Sequence, residues 1–255
     1  TDSHNGIKSP QLAIIPQGVS AAESVITARL HMYDRVYWHR ANRAIMAMIG
    51  YVVRHLLDPS KNLLGFYDYI NATLEMSDIE ALRWLSARMD SAIDKKCFDN
   101  TQMALPVGNP LHGLIHNSRE LHKSLITISA AVEPRKHSYL ASCDIGEQEA
   151  LRYEIARAIH VSHPELSISD DEVLFDIPRK DLSSEAQFQD LIVVDPDNRM
   201  DFQLTAYSGI AKATQEEYNK RASRCRVFVS PRIADQLSID DTLKRQIMEL
   251  LPDTR

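Results

Sequence analysis

Between Ser20 and Asp58 the apolar residues recur at steps of three and four: Val25, Ile26, Leu30, Tyr33, Val36, Tyr37, Ile45, Met48, Ile49, Val52, Val53 and Leu56. That spacing belongs to a helix with one apolar side. Ser20 and Glu23 read as a capping box at its start, and Asp58-Pro59 ends it. The pattern therefore predicts one helix of about ten turns, bent near Gly50. A second capping box, Ser77 with Glu80, opens a helix over "SDIEALRWLSARMDSAI". Helices are also expected over "NLLGFYDYINATLEM", residues 109–132 and residues 146–163. Ahead of them all, residues 1–18 carry Asn-Gly, Ser-Pro and Pro-Gln-Gly punctuation and read as loop with one brief extended piece.

Past residue 165 the period changes. "DDEVLFDIPRK", "DLIVVDPDNRMDFQLTAYS" and "RCRVFVS" are rich in β-branched and aromatic residues, and the second reads as a hairpin around Asp-Pro-Asp-Asn. Residues 210–221 and 239–251 return to helical spacing. The expected fold is mainly α with a small C-terminal α+β lobe, divided into a helical region 1–165 and a lobe 166–255.

Composition narrows the function classes. A formal charge of −6 gives no global attraction to nucleic acid or to an anionic membrane, so any anion site must be a local cluster of cations. Cys97, Cys143 and Cys225 lie far apart without a C-x-x-C pair, which fits neither a disulfide framework nor a zinc knuckle and suits a reducing, cytoplasmic setting. No apolar run is long enough to span a membrane.

Few motifs carry chemistry. Phosphate-cradling glycine loops and the G-x-S-x-G elbow are absent. His112 with His116, and His160 with His163, are spaced as ligands on a helix could be, but no third ligand accompanies them, and they read as surface or capping histidines. Asp170 with Asp171 and Asp240 with Asp241 read as N-terminal caps. "KKCFDN" and "EPRKHS" read as solvated loop charge. Arg29, Tyr33 and Tyr37 are more informative: steps of four align a guanidinium with two phenols. Such a row suits a phosphate- and base-reading face, and equally a buried helix whose tyrosines and arginine reach out to solvent.

The wording of this segment is more specific than its spacing. Ala28, Arg29, Met32, Tyr33, Val36, Tyr37, His39 and Arg43 share one register with a helix of the HD-domain deoxynucleoside triphosphate triphosphohydrolases. "TDSHNG" at the start resembles a turn of the same family, and "VLFDIPRK", "LIVV" and "CRVFVSPRIADQL" resemble its C-terminal lobe. The resemblance implies an HD-like helical bundle portion and a nucleotide pocket. Asp2 would contact the substrate sugar, Arg29 the triphosphate and Tyr37 the deoxyribose, with Tyr33 and Trp38 behind them. His39 and Arg40 resemble positions that touch an activating nucleotide at a subunit interface.

The family takes its name from a metal site built on a His-Asp pair, yet none of the ten histidines is followed by aspartate. The resemblance thus places the divalent metal, a transition metal or magnesium, in an HD-bearing portion upstream of Thr1, and no metal site in this chain. It implies hydrolysis of dNTPs to deoxynucleoside and triphosphate, with an HD-bearing portion and further copies of the chain as partners in a homo-oligomer. Two other readings stand beside it: a nucleotide-sensing or scaffold protein on the same frame, and an HD phosphohydrolase acting on another nucleotide.

Overall fold

The computed structural model of the chain describes residues 13–59, 63–95, 106–115, 120–177, 191–195, 200–222, 224–237 and 241–252. In chain order the elements are β1 (Ala13–Ile14), a 3-10 turn (Pro16–Gly18), α1 (Val19–Met32), a π turn (Tyr33–Tyr37), α2 (Arg40–Leu56), α3 (Phe66–Thr73), α4 (Asp78–Asp94) and α5 (His112–Ile115). They continue with β2 (Lys123–Ser129), α6 (Pro134–Ser142), α7 (Ile145–Ser162), a 3-10 turn (Asp170–Glu172), β3 (Val173–Asp176), β4 (Ile192–Asp195) and β5 (Met200–Gln203). Last come α8 (Leu204–Tyr207), α9 (Gly209–Ala222), β6 (Arg224–Val229), α10 (Pro231–Leu237) and α11 (Asp241–Glu249). The protein is mainly helical, with two three-stranded sheets among the described residues.

Two compact units share the chain, and they interleave: Thr1–Tyr37 with Arg179–Ser223, and Trp38–Pro178 with Arg224–Arg255. They are therefore not the consecutive stretches 1–165 and 166–255 that the change of period marks.

In the first unit β4 pairs antiparallel with β5, as the hairpin signal predicts, and parallel with the short β1. Val19 and Ile26 of α1 bury against Val193, Leu204 and Ala211. Ser208 Oγ donates to the Glu23 carboxylate, so Glu23 serves tertiary packing rather than the expected capping box. The N-cap of α1 is Gly18, with no side-chain cap bond.

The second unit is built around the antiparallel sheet β2-β6-β3, whose central strand is buried on both faces. Alternation along the strands decides the layers. Val173, Phe175, Val227 and Val229 join a core with Leu140, Ile155 and Ile159 from α6 and α7. Leu174 and Phe228 face the other way, onto Met48, Tyr51 and Val52 of α2 and Leu85 and Met89 of α4. Capping boxes are formed at the starts of α4 and α7: Glu80 takes Ser77 N–H at 2.9 Å, and Asp144 and Glu147 exchange bonds.

Three expectations are corrected. The single helix over 20–57 is two helices: α1 runs into the π turn and stops, and His39 starts α2 with an extended backbone, its Nδ1 accepting from Ala41 N–H at 3.4 Å. Gly50, where a bend was expected, lies inside an unbroken α2. Residues 109–132 are not one helix: after the single turn of α5 comes β2, where Ile126 and Ile128 are buried and Thr127 between them is exposed. A run of β-branched residues with period two overrides the helical spacing around it. Finally "EPRKHS" is not loop: Pro134 opens α6, Lys136 Nζ donates to the Met248 carbonyl at 2.6 Å, and His137 is buried.

Candidate functional site

The row of residues singled out by the sequence begins on α1. Arg29 is exposed, and its guanidinium lies 5.6 Å from the centre of the Tyr33 ring, donating to the phenol oxygen at 3.4 Å. Tyr33 and Tyr37 follow with ring centres 5.0 Å apart, tilted by 46°. Tyr33 is half-buried, whereas Tyr37 is 52% exposed. The π turn that carries both tyrosines is a rare backbone form that recurs at functional sites.

The apolar residues of the same helix do not all point inward. Val25, Met32 and Val36 are 67%, 49% and 48% exposed, and with Arg29 they form an outward stripe at three- and four-residue steps. So α1 is apolar on two sides: one packs against β4, α8 and α9, and the other presents methyl groups, a cation and aromatic rings to solvent. A cation flanked by aromatic and aliphatic surface can clamp a phosphate oxygen and stack or cover a sugar or base.

Trp38 has a different place. Only 8% exposed, it is covered by two guanidinium groups, that of Arg43 at 4.7 Å and that of Arg226 at 5.8 Å from its ring centre. Its carbonyl accepts from Arg226 Nη2 at 3.1 Å. The ring is therefore part of the core of the second unit and not an open wall for a ligand. His39 caps α2, and Arg40 beside it is exposed. Asp2, with the "TDSHNG" turn, lies outside the described residues.

Sequence reasoning missed the group that encloses Trp38. The register of β3 on β6 sets Asp176 opposite Arg226, on the face that α2 covers. Arg226 Nη1 donates to Asp176 Oδ2 at 3.0 Å, and Arg43 Nε reaches both carboxylate oxygens at 2.9 and 3.0 Å. One carboxylate thus balances two arginines in a nearly dry site. Burial pulls the Arg226 pKa down, and the Asp176 charge works against that pull. Arg43, Asp176 and Arg226 come from segments far apart in the chain, and no local pattern marks their meeting.

A second buried network was also misjudged. Asp170, expected as a cap, accepts from Tyr51 Oη at 3.0 Å and pairs with Arg152 at 3.0 Å and His55 at 3.4 Å. Burial raises the Asp170 pKa, but the His55 hydrogen bond and the Arg152 charge outweigh it and hold the carboxyl below its ordinary value. Burial, reinforced by the Asp170 charge, pushes the Tyr51 phenol well above its own. Nearby, His122 Nε2 donates to the Asp171 carbonyl at 2.8 Å, and burial drops the ring's pKa from 6.5 to about 4.

The histidine pairs do not assemble. His112 pairs with Asp90, His160 bonds the Leu166 carbonyl, His163 bonds Glu165, and His116 lies outside the described residues. Among the described residues no group of three or more His, Cys, Asp or Glu is placed to hold a metal ion. These residues do not fit the metal centre that the resemblance implies. An open pocket of about 310 Å³ lies beside α7, lined by Tyr139, Leu151, Tyr153, Glu154 and Leu250 among others, and contains none of the sequence-derived site residues. No helix among the described residues is long and apolar enough to cross a membrane.

Residues 5–247 match the family described as "HD associated region". The chain belongs to this HD-associated family. Its match runs through both compact units and takes in Arg29, Trp38, Arg43, Asp176 and Arg226 alike. No curated protein matches the chain. Membership links the chain to HD phosphohydrolases.

Proposed function

We propose that this chain is the HD-associated part of a phosphohydrolase acting on deoxynucleoside triphosphates, and that the outward face of α1 forms one wall of the nucleotide pocket. The observation that carries the reading is that face: Arg29, Tyr33 and Tyr37 in contact as one row, within an exposed apolar stripe on a helix anchored by its opposite side. Arg29 binds the triphosphate, Tyr37 covers the deoxyribose with Tyr33 supporting both, and Asp2 contacts the sugar. Trp38 acts indirectly, by holding the start of α2. Arg40, with His39 beside it, contacts an activating nucleotide in a cytoplasmic homo-oligomer.

A divalent metal would be held by the HD-bearing portion with which the chain works, and would supply Lewis-acid activation of water there. The residues of this chain bind and orient the substrate and offset its negative charge.

The test is Arg29→Ala in the chain together with its HD-bearing portion, read as tripolyphosphate released from a dNTP and as dNTP affinity. Loss of a charge-assisted contact predicts a drop in affinity of about 10- to 100-fold. Unchanged affinity and turnover would remove α1 from the pocket. Reduced affinity with no hydrolysis by the intact assembly would instead assign the face to a nucleotide sensor, and turnover of a nucleotide other than a dNTP would move the substrate class.

A further inference from the structure

The second helix with two apolar sides is α3. At about 100° per residue, Phe66, Ile70, Leu74 and Tyr67 fall within one arc of about 100°. They are 62%, 39%, 76% and 82% exposed. Leu74 extends the helix, its N–H bonding the Ile70 carbonyl at 3.0 Å. Tyr69, about 60° round the helix from Phe66, is half-buried and packs against the core made by α2 and α4. That side holds the helix to the fold, and the arc from Phe66 to Tyr67 is left exposed. Phe66 and Tyr67 sit edge to face, ring centres 6.1 Å apart, as a ready aromatic platform.

The charge on α3 and the turn after it is acidic. Residues 63–80 contain Asp68, Glu75, Asp78 and Glu80 and no lysine, arginine or histidine; Arg83 follows on α4, where its charge acts on Glu80. Asp68 lies on α3 and Glu75 in the turn that follows it, directly after Leu74, and all four acids are exposed. An apolar strip edged with carboxylates disfavours an anionic membrane or a nucleic acid. It equally disfavours a second copy, which would bring acid edge against acid edge. It suits a helix with leucine-like residues at i, i+3 or i+4 and i+7, flanked by lysine or arginine.

We infer that the α3 face, Phe66, Tyr67, Ile70 and Leu74 with its acidic edge, is a docking surface for a basic amphipathic helix of a partner protein. This goes beyond the nucleotide pocket and does not depend on it, since no residue of α1 takes part.

The probe is a fluorescent synthetic peptide with leucines at helical spacing and lysines elsewhere, titrated into the full chain by anisotropy. A scrambled peptide of the same composition and a glutamate-for-lysine version run beside it. The helical lysine peptide is expected to bind the wild type and to bind Phe66→Ser/Leu74→Ser about 10-fold or more weakly. Asp68→Asn/Glu75→Gln should weaken it about 3-fold or more and flatten its salt dependence. Val132→Ser, an exposed apolar residue elsewhere (78%), should leave it unchanged.

Circular dichroism melting checks the fold of each variant, and Tyr67→Ser, at the most exposed position of the arc, replaces the double variant if that one melts early. Equal binding of the scrambled peptide, or equal binding by the double variant, would overturn the proposal as unspecific charge attraction. No binding of the helical peptide to the wild type would overturn it directly. Concentration-dependent dimers lost in the double variant would give the face to a second copy. Capture on phosphatidylserine vesicles, lost in the same variant, would give it to a membrane.

Discussion

Arg29 and Arg226 both lie beside aromatic rings in the stretches that carry the family likeness, and they meet opposite fates. Arg226 is 2% exposed, held by Asp176 and by the carbonyl of Trp38, while Arg29 is exposed and donates to the Tyr33 phenol. A buried arginine with its own carboxylate is a structural part, since its charge is already balanced and its donors are committed. An exposed arginine beside two tyrosines can be reached by an arriving anion. The same residue type builds the frame in one place and is reachable for recognition in another, and burial makes the difference.

The comparison breaks most directly at Asp176. Asp176→Ala leaves Arg226 and Arg43 facing each other around Trp38 without a counter-charge, and should cost about 3–5 kcal/mol in a urea unfolding curve. A loss below about 1 kcal/mol would show that the two arginines find water or another acid, and the distinction between frame and recognition would weaken.

Acid should next separate the buried polar groups from the exposed face. His122 is held neutral in the folded state, so between its ordinary pKa of 6.5 and its folded value of about 4 the unfolded chain binds the extra proton. Stability then rises with pH across that window and falls as pH is lowered through it, by about 3 kcal/mol at most. Asp170, held below its ordinary value, adds its own loss only further down the scale. His122→Gln should flatten the slope between pH 6.5 and 4, whereas Arg29→Ala should leave it unchanged.

Arg29→Ala sharpens the contrast from the other side. Its expected effect on nucleotide binding is about 1.5–3 kcal/mol, with folding stability altered by no more than about 0.5 kcal/mol. Tyr33→Phe is the smallest change: it deletes the phenol oxygen that Arg29 contacts and keeps the ring beside Tyr37, so affinity should fall by about 0.5–1 kcal/mol. An effect as large as that of Arg29→Ala would make the phenol, rather than the guanidinium, the main contact.

Much of the fold was legible. The capping box of α4, the helical period of α7 and the hairpin of β4 and β5 are local signals that agree with the structure. Where reading failed, a distant neighbour had intervened. Ser20 and Glu23 have the spacing of a capping box, but Ser208 takes the Glu23 carboxylate. Val25 and Ile26 both fit the apolar period, yet Ile26 is 2% exposed and Val25 67%. Periodicity shows that a helix has apolar sides; it does not show which side meets the core. The candidate row Arg29, Tyr33 and Tyr37 was legible because i, i+4 contacts lie within one helix. The enclosure of Trp38 was not, because it needs β3, β6 and α2 together.

The sequence by itself determined the mainly helical composition, the starts of helices such as α4 and α7, the pairing partners of one hairpin and membership in the HD-associated family, all of which rest on short-range order or on shared wording. Tertiary structure alone decided that the chain breaks at Trp38, that Asp170 is a buried partner and not a cap, and which arginines are committed. Arg43 and Asp176 are 133 positions apart. Burial and charge pairing are set by what the fold brings alongside, and a carboxylate that distant enters the environment of an arginine only when the sheet register and the helix above it are in place.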